Sequence, residues 1–480
     1  MSTPKPVLIV FLLLVVPVWA QEQMLDLEVS PNHRFLQRSD GRPFFWQGDT
    51  GWLLFQRLNR EEAERYLENR RSKGFNVIQA MVLHAANDVN AFGSRALVSN
   101  DPGHPNVTEG NDYWIPGEYD YWDHVDWIVD RAAEKGIYIG MVASWGSIAN
   151  SGQLNEGNVE AYTGFLAERY GDRPNIVWIT GGDTFGNRET EVWNTMGRTF
   201  RELDPRHLIT FHPFGRTQSS TWFHDEPWLD FNMFQSGHRR YGQDDTPQNR
   251  GEDNWRYVAD DYAKQPPKPT IDGEPSYEGI PQGLHDPSEP YWTGDDARRY
   301  AYWSVFAGAA GHTYGHSAVM QMYKPGTGSG GYGVRKYWYE AIDDPGAGYM
   351  QHLKHLMLSR PYFERVRDQE VIAGDNGGRY DYLIATRGEG YLFVYTYTGQ
   401  SIAIEMGAIS GDEVRGWWFN PRDGSATEVG VFANEGEHTF DPPGAPEPAN
   451  DWVLVLDDTS LGFPEPGVPL DETNLFVVGR

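Results

Sequence analysis

Residues 59–82 read NREEAERYLENRRSKGFNVIQAMV, and this stretch decides the fold. Asn59 suits a helix N-cap, because its side-chain oxygen can accept an otherwise unpaired first-turn N–H. Glu61 and Glu62 follow where negative charge favours the positive end of a helix, and Gly74 stands where a helix stops. The next eight residues, Phe75 to Val82, are almost uniformly apolar. A run of that length without alternation is a strand covered on both faces, as in parallel sheets.

The helix-then-strand unit repeats outward in both directions. Pro43 to Thr50 supplies a first strand. Helices are expected over 121–136, 159–170, 189–203, 254–264 and 295–310. Strands are expected over 137–142, 176–179, 208–212, 229–234, 269–272 and 311–316. Eight apolar strands separated mostly by helices fit an α/β fold of the (β/α)8 TIM-barrel class. A doubly wound open sheet would not need eight units.

The helical pattern ends after Met350–Met357, and from Val371 the period becomes two. Runs at 380–385, 391–395, 401–404, 414–419 and 452–456, separated by Gly and Asp turns, predict a C-terminal antiparallel β-sandwich. In the segment 391–395, alternate residues should face the domain interior and a second contact. The expected organisation is a signal peptide over 1–20, a catalytic barrel over 21–361, and the β-domain with its tail over 362–480.

The leader rests on Lys5 before the apolar run Val7–Trp19, with Val18 and Ala20 as small residues before Gln21. The run is short for a spanning helix, and an uncleaved anchor is the alternative. No later stretch is apolar enough to span, so secretion or periplasmic export is expected. Cysteine is absent, which excludes disulfides and thiolate chemistry. The net charge of −28 argues against nucleic acid and anionic lipid as partners. The 67 aromatic residues (18 Trp, 26 Tyr, 23 Phe) suit stacking on sugar C–H faces, but would equally fill a large core.

Two segments point to chemistry. Ile179-Thr180-Gly181-Gly182-Asp183-Thr184 ends the fourth strand, and Ile271-Asp272-Gly273-Glu274-Pro275 ends the seventh. Each places a carboxylate beside glycine at the barrel rim where active sites of this fold sit. Cleavage of a glycosidic bond needs such a pair: one protonated acid at the leaving oxygen, and one ionised group as nucleophile or base. Asp183 could instead cap the helix beginning near Glu189, and Glu274 could belong to a structural ion pair. Asp272 and, more weakly, Glu278 are rivals to Glu274.

These segments, with Phe45-Trp46-Gln47-Gly48-Asp49-Thr50-Gly51-Trp52 and Arg70-Arg71-Ser72-Lys73-Gly74-Phe75-Asn76-Val77-Ile78-Gln79, resemble the apiosidase-like barrel of glycoside hydrolase family 140. The C-terminal domain is similar to the collagen-binding-type module that usually follows it. The resemblance implies a retaining mechanism on apiose-linked chains of the pectin rhamnogalacturonan II. It gives Asp183 the general acid/base role and Glu274 the nucleophile role.

A sugar also needs amides, imidazoles, carboxylates and aromatic faces. Asp49 and Trp52, Gln79, Trp145, His212, Gln235 and His238, Asp272, and His316 all fall on strands or the loops after them, so a barrel would gather them on one rim. Each alone could be a satisfied structural polar group. His84, His212, His238, His312 and His316 are dispersed and no H-E-x-x-H occurs, so no metal site and no cofactor are expected. No G-x-S-x-G elbow is present. The expected partner is an oligo- or polysaccharide. The competing readings are a barrel glycosidase for an arabinose- or galactose-type sugar, and a non-catalytic carbohydrate- or matrix-binding protein.

Overall fold

The computed structural model describes residues 24–244 and 250–470. The leader assigned to 1–20 lies outside the described residues, as does the end of the tail. Eight parallel strands form the barrel: β1 (Trp46–Thr50), β2 (Val77–Met81), β3 (Tyr138–Val142), β4 (Ile176–Thr184), β5 (Ile209–Pro213), β6 (Asn232–Phe234), β7 (Thr270–Asp272) and β8 (Gly311–Tyr314). Their ladder order is β5-β4-β3-β2-β1-β8-β7-β6, so the last strand pairs with the first. The seam between β5 and β6 is bridged by the Asp230 amide donating to the Ile209 carbonyl at 2.9 Å and Thr210 Oγ1 donating to the Phe231 carbonyl at 2.7 Å.

The helices around the barrel are α1 (Arg60–Ser72), α2 (Tyr121–Glu134), α3 (Val159–Tyr170), α4 (Thr190–Leu203), α5 (Trp255–Tyr262), α6 (Gly294–Phe306) and α7 (Pro345–Leu358). α1 begins with the capping box its sequence predicts: Asn59 accepts from the Glu62 amide, and Glu62 accepts from the Asn59 amide. Between β5 and β6 there is only the short helix Ser220–Phe223. There the chain doubles back, with the Ser219 amide on the Met233 carbonyl at 2.9 Å. β4 continues beyond its apolar run 176–179 through Gly181 and Gly182 to Thr184, and its pairing with β5 shifts register between Gly181 and Thr184.

The C-terminal unit is antiparallel, with β9 (Val366–Arg367), β10 (Ile384–Arg387), β11 (Tyr391–Thr396), β12 (Ile402–Glu405), β13 (Glu413–Phe419), β14 (Ala426–Ala433), β15 (Glu437–Phe440) and β16 (Trp452–Asp458). A six-stranded sheet of order β9-β10-β11-β16-β13-β14 faces a β12–β15 ribbon. The alternation expected in β11 is present. Leu392 and Val394 join Ile402, Ile404, Leu454 and Leu456 inside the sandwich. Tyr391, Phe393 and Tyr395 share a core with barrel residues instead.

That interface is buried and specific. Tyr395 stacks on Tyr302 of α6 with ring centroids 4.8 Å apart. Arg298 of α6 makes a bidentate pair with Asp451, both bonds 2.7 Å, and Tyr395 donates to the same carboxylate at 3.0 Å. Arg360 holds Asp457 in the same way. Bidentate geometry satisfies the donors that burial would otherwise strand. Among the described residues no helix is long and apolar enough to cross a membrane.

Candidate active site

The C-terminal ends of the strands surround a cavity of about 120 Å³ lined by Trp52, Trp145, Asp183, Gln235, His238 and Glu274, together with loop residues described below. Two local devices aim the carboxylates into it.

The first is the bulge ending β4. Gly181, Gly182 and Asp183 have φ of 85°, 106° and 48°, all in the left-handed half of backbone space. A Cβ on Gly182 would lie 2.5 Å from the Trp145 ring, and one on Gly181 would lie 2.6 Å from the His212 carbonyl oxygen. Only glycine meets both demands. Aspartate is among the few other residues that tolerate the third position.

The second device pins the backbone around Glu274. Gln79 of β2 donates its amide to the Gly273 carbonyl at 2.8 Å. The Gly273 amide donates to Phe234 at 2.8 Å, and Gly237 donates to the Glu274 carbonyl at 3.1 Å. The Glu274 carboxylate meets two imidazoles. His238 Nδ1 accepts from the Tyr277 amide at 3.3 Å, which leaves Nε2 as the protonated nitrogen that donates to Glu274 Oε1 at 3.1 Å. His212 Nε2 sits 3.3 Å from Oε2, but off the hydrogen-bond direction, so His238 is the firmer anchor. His212 is itself wedged edge-on against Trp52, ring centroids 5.4 Å apart, and lies 5.7 Å from Trp145.

The two carboxyls are driven in opposite directions. For Asp183, burial and then the neighbouring Glu274 charge raise the pKa to about 6, against the weaker opposing pull of His212, His238 and Gln235. For Glu274, burial pushes upward, but the His212 and His238 contacts overcome it and hold the carboxyl down at about 2. The pair therefore offers one protonated and one ionised carboxyl at mildly acidic pH.

The remaining candidates separate. Gln79 and His212 stand directly behind the carboxylates. Asp49 points away, into a fully buried pair with Arg70 of α1 at 2.6 Å and a hydrogen bond from Tyr66 at 2.5 Å. Asp272 accepts from Ser236 at 2.5 Å and Asn254 at 3.0 Å, and burial raises its pKa to about 7. His316 caps the short helix Ser317–Met320 and contacts Asp344 at 2.9 Å, on a different cavity shared with Glu278. Glu278 accepts from Tyr314 at 2.6 Å.

Loops add residues the strand pattern did not single out for sugar contact. His84, Ile280, Leu284, Gln321 and Tyr332 also line the cavity, with Leu53, Met81 and Met320 as further apolar wall. Tyr332 belongs to the glycine-rich segment 326–333, stacks on His285, and has its pKa raised by burial and by the Asp183 and Glu274 charges. An aromatic embedded among five glycines was the available signal.

Comparison with known proteins agrees with this geometry. Residues 30–364 match the model of the apiosidase-like catalytic domain, and 366–457 match a family described as the collagen-binding-type domain of a collagenase. A solved glycoside hydrolase is 49% identical with a TM-score of 0.86, over 92% of this chain and 99% of its own. A structure described as a family 5 glycoside hydrolase from Bacteroides vulgatus is 48% identical with a TM-score of 0.88, over 92% and 96% of the two chains. No curated protein matches.

Proposed function

We propose, for a chain that belongs to the family of apiosidase-like catalytic domains, that this glycoside hydrolase works with retention on apiose-containing side chains of rhamnogalacturonan II. The observation that supports the reading is the pair of carboxyls on one cavity with opposite proton affinities.

In this reading Asp183 donates its proton to the leaving oxygen while Glu274 attacks the anomeric carbon and forms a glycosyl ester. His238 keeps Glu274 ionised and oriented before attack. Esterification removes the Glu274 charge, which is one of the two influences raising Asp183. With that charge gone the Asp183 pKa falls, so the carboxyl stays ionised and can act as base toward the water that cleaves the ester. Trp52 and Trp145 offer ring faces to the sugar, and Gln235 an amide. The leader at 1–20 fits export to the periplasm or medium, testable by the N-terminus of the mature protein.

The test is hydrolysis of apiose-bearing rhamnogalacturonan II oligosaccharides, with NMR of the first anomer released. Retention and a free terminal apiose at the cut support the reading. Initial inversion refutes the Glu274 role, and release of a different sugar refutes the substrate. A 2-fluoro glycosyl label should be found on the peptide containing Glu274.

A further inference from the structure

Among the described residues the β-domain lines no part of the catalytic cavity, yet it grips the segment that carries His238. Residues 235–244 leave β6, and residues 250–254 lead into α5. Glu252, fully buried, ties these two stretches together. Its Oε1 accepts from the Tyr241 amide at 3.2 Å, three residues after His238. Its Oε2 accepts from Arg299 of α6 at 2.6 Å. Two residues further on, Asn254 donates to Asp272 at 3.0 Å, at the end of the strand that leads to Glu274. Glu252 therefore sits between both backbone routes to the Glu274 carboxylate.

A third donor to Glu252 comes from the other domain. Tyr380, in the turn Arg379–Asp381 before β10, donates its hydroxyl to Glu252 Oε1 at 2.9 Å. Its ring meets the Tyr241 ring edge-on at 5.5 Å, and the Arg379 guanidinium lies 5.2 Å over that same ring. Arg299 lies 5.0 Å over Tyr380 and 5.1 Å over Tyr397, the residue that follows β11. A buried carboxylate that loses a donor turns toward another or stays short of one, and either response is transmitted to the groups still bound to it. For Glu252 Oε1 that remaining group is the Tyr241 amide.

We propose that Tyr380 is a positioning residue: through Glu252 and Tyr241 the β-domain fixes the segment after β6, and so holds His238 against Glu274. The consequence for turnover rests on Glu274 being the nucleophile, as proposed above.

The experiment compares Tyr380→Phe with Tyr395→Phe in the full chain. Each removes one hydroxyl donated to a buried carboxylate at the domain interface, at 2.9 and 3.0 Å, but Tyr395 serves Asp451, whose barrel partner is Arg298 of α6 and not the segment after β6. Similar falls in Tm are expected, so stability alone does not separate the two. The ionisation of Glu274 does. That carboxyl faces His212 of β5, His238 after β6, Asp183 of β4, and Tyr277 and Tyr332 from the loops after β7 and β8. Carbon-13 NMR of a glutamate-labelled chain follows it directly, with its signal assigned by loss in Glu274→Gln. In the wild type and in Tyr395→Phe it should stay ionised down to about pH 2 or to acid unfolding. In Tyr380→Phe His238 loosens, and the titration should move up toward the ordinary glutamate value of about 4.3. On apiose-bearing oligosaccharides the acid limb of kcat/KM should move up with it, because Glu274 attacks only when ionised. kcat should fall about 3- to 30-fold, short of the roughly 100-fold of a 1 Å misplacement. A Glu274 titration unchanged in Tyr380→Phe, or shifted equally in Tyr395→Phe, overturns the proposal. A shift confined to Tyr380→Phe, in an enzyme that inverts or leaves apiose uncut, upholds the positioning role and refutes the nucleophile or the substrate proposed above.

Discussion

Replacing Asp183 by asparagine should remove the proposed proton donor without disturbing its support. Asparagine tolerates a φ of 48° as aspartate does, so the bulge and the Gly182–Trp145 contact should persist. The structure sets the size of what is lost. With a pKa of about 6, half of the molecules carry the Asp183 proton at pH 6. An ordinary aspartate near 3.9 would carry it in under about 1%, so the site gains on the order of 60-fold in competent acid. kcat/KM of the wild type on a natural glycoside should therefore fall as pH rises through about 6, with a limiting slope of −1. No matching fall should occur on the acid side until far lower pH, because Glu274 is held at about 2. In Asp183→Asn the same substrate should react roughly 10²- to 10⁴-fold more slowly, and the limb near pH 6 should vanish. Formation of the glycosyl ester from a glycosyl fluoride, whose leaving group needs no proton, should be far less impaired. Added azide should then collect the ester as a glycosyl azide of retained configuration. An alkaline limb that persists near pH 6 in Asp183→Asn would show that another group supplies the proton. Equal losses on fluoride and natural glycoside would show that the substitution damaged the site as a whole.

Three further outcomes follow from particular contacts. Gly182→Ala forces a Cβ to within 2.5 Å of Trp145 at a φ of 106°; displacement of Asp183 by about 1 Å should lower kcat on the order of 10²-fold, while circular dichroism shows the fold retained. Asp272 is fully buried with its pKa raised to about 7, so the folded state binds its proton more tightly than the unfolded chain does. Its stabilising contribution is complete below about pH 4 and is lost as pH rises toward 7, so the Tm of Asp272→Asn should fall less over that window than that of the wild type. Arg298→Ala leaves Asp451 buried without its bidentate partner and should cost about 3–5 kcal/mol in denaturant unfolding, whereas Arg298→Met with Asp451→Leu should cost much less. Equal destabilisation by the single and double replacements would mean that the pair itself, and not the stranded charge, supports the interface.

What the sequence made legible follows from how locally each feature is determined. Asp183 and Glu274 could be located because each ends an apolar run beside glycines, and the glycines are required within a few residues of the acid they aim. The same logic misjudged Asp272. Residues two apart share a face only while a strand stays regular, and β7 ends at Asp272, so Gly273 turns Glu274 toward the cavity while Asp272 turns to Ser236 and Asn254. Asp49 was equally visible as a strand-end carboxylate, but its partner Arg70 is a helix residue, and nothing in the spacing says that the two must meet. β14 escaped the pattern because it is an edge strand with most residues exposed, so no buried face imposed an alternation on it. Tyr332, Phe214 and Leu284 come from loops whose paths are set by contacts between distant segments, such as Tyr291 donating to the Gly333 carbonyl at 3.1 Å. The carboxylate pair was therefore legible where strand geometry alone aims a side chain into the cavity. The shape that selects a substrate was not, because that shape is made where loops meet. Discrimination among sugars in this barrel should accordingly change with substitutions in 214–222 and 326–333 more than with any on the strands, while the stereochemical outcome of hydrolysis should stay fixed by Asp183 and Glu274.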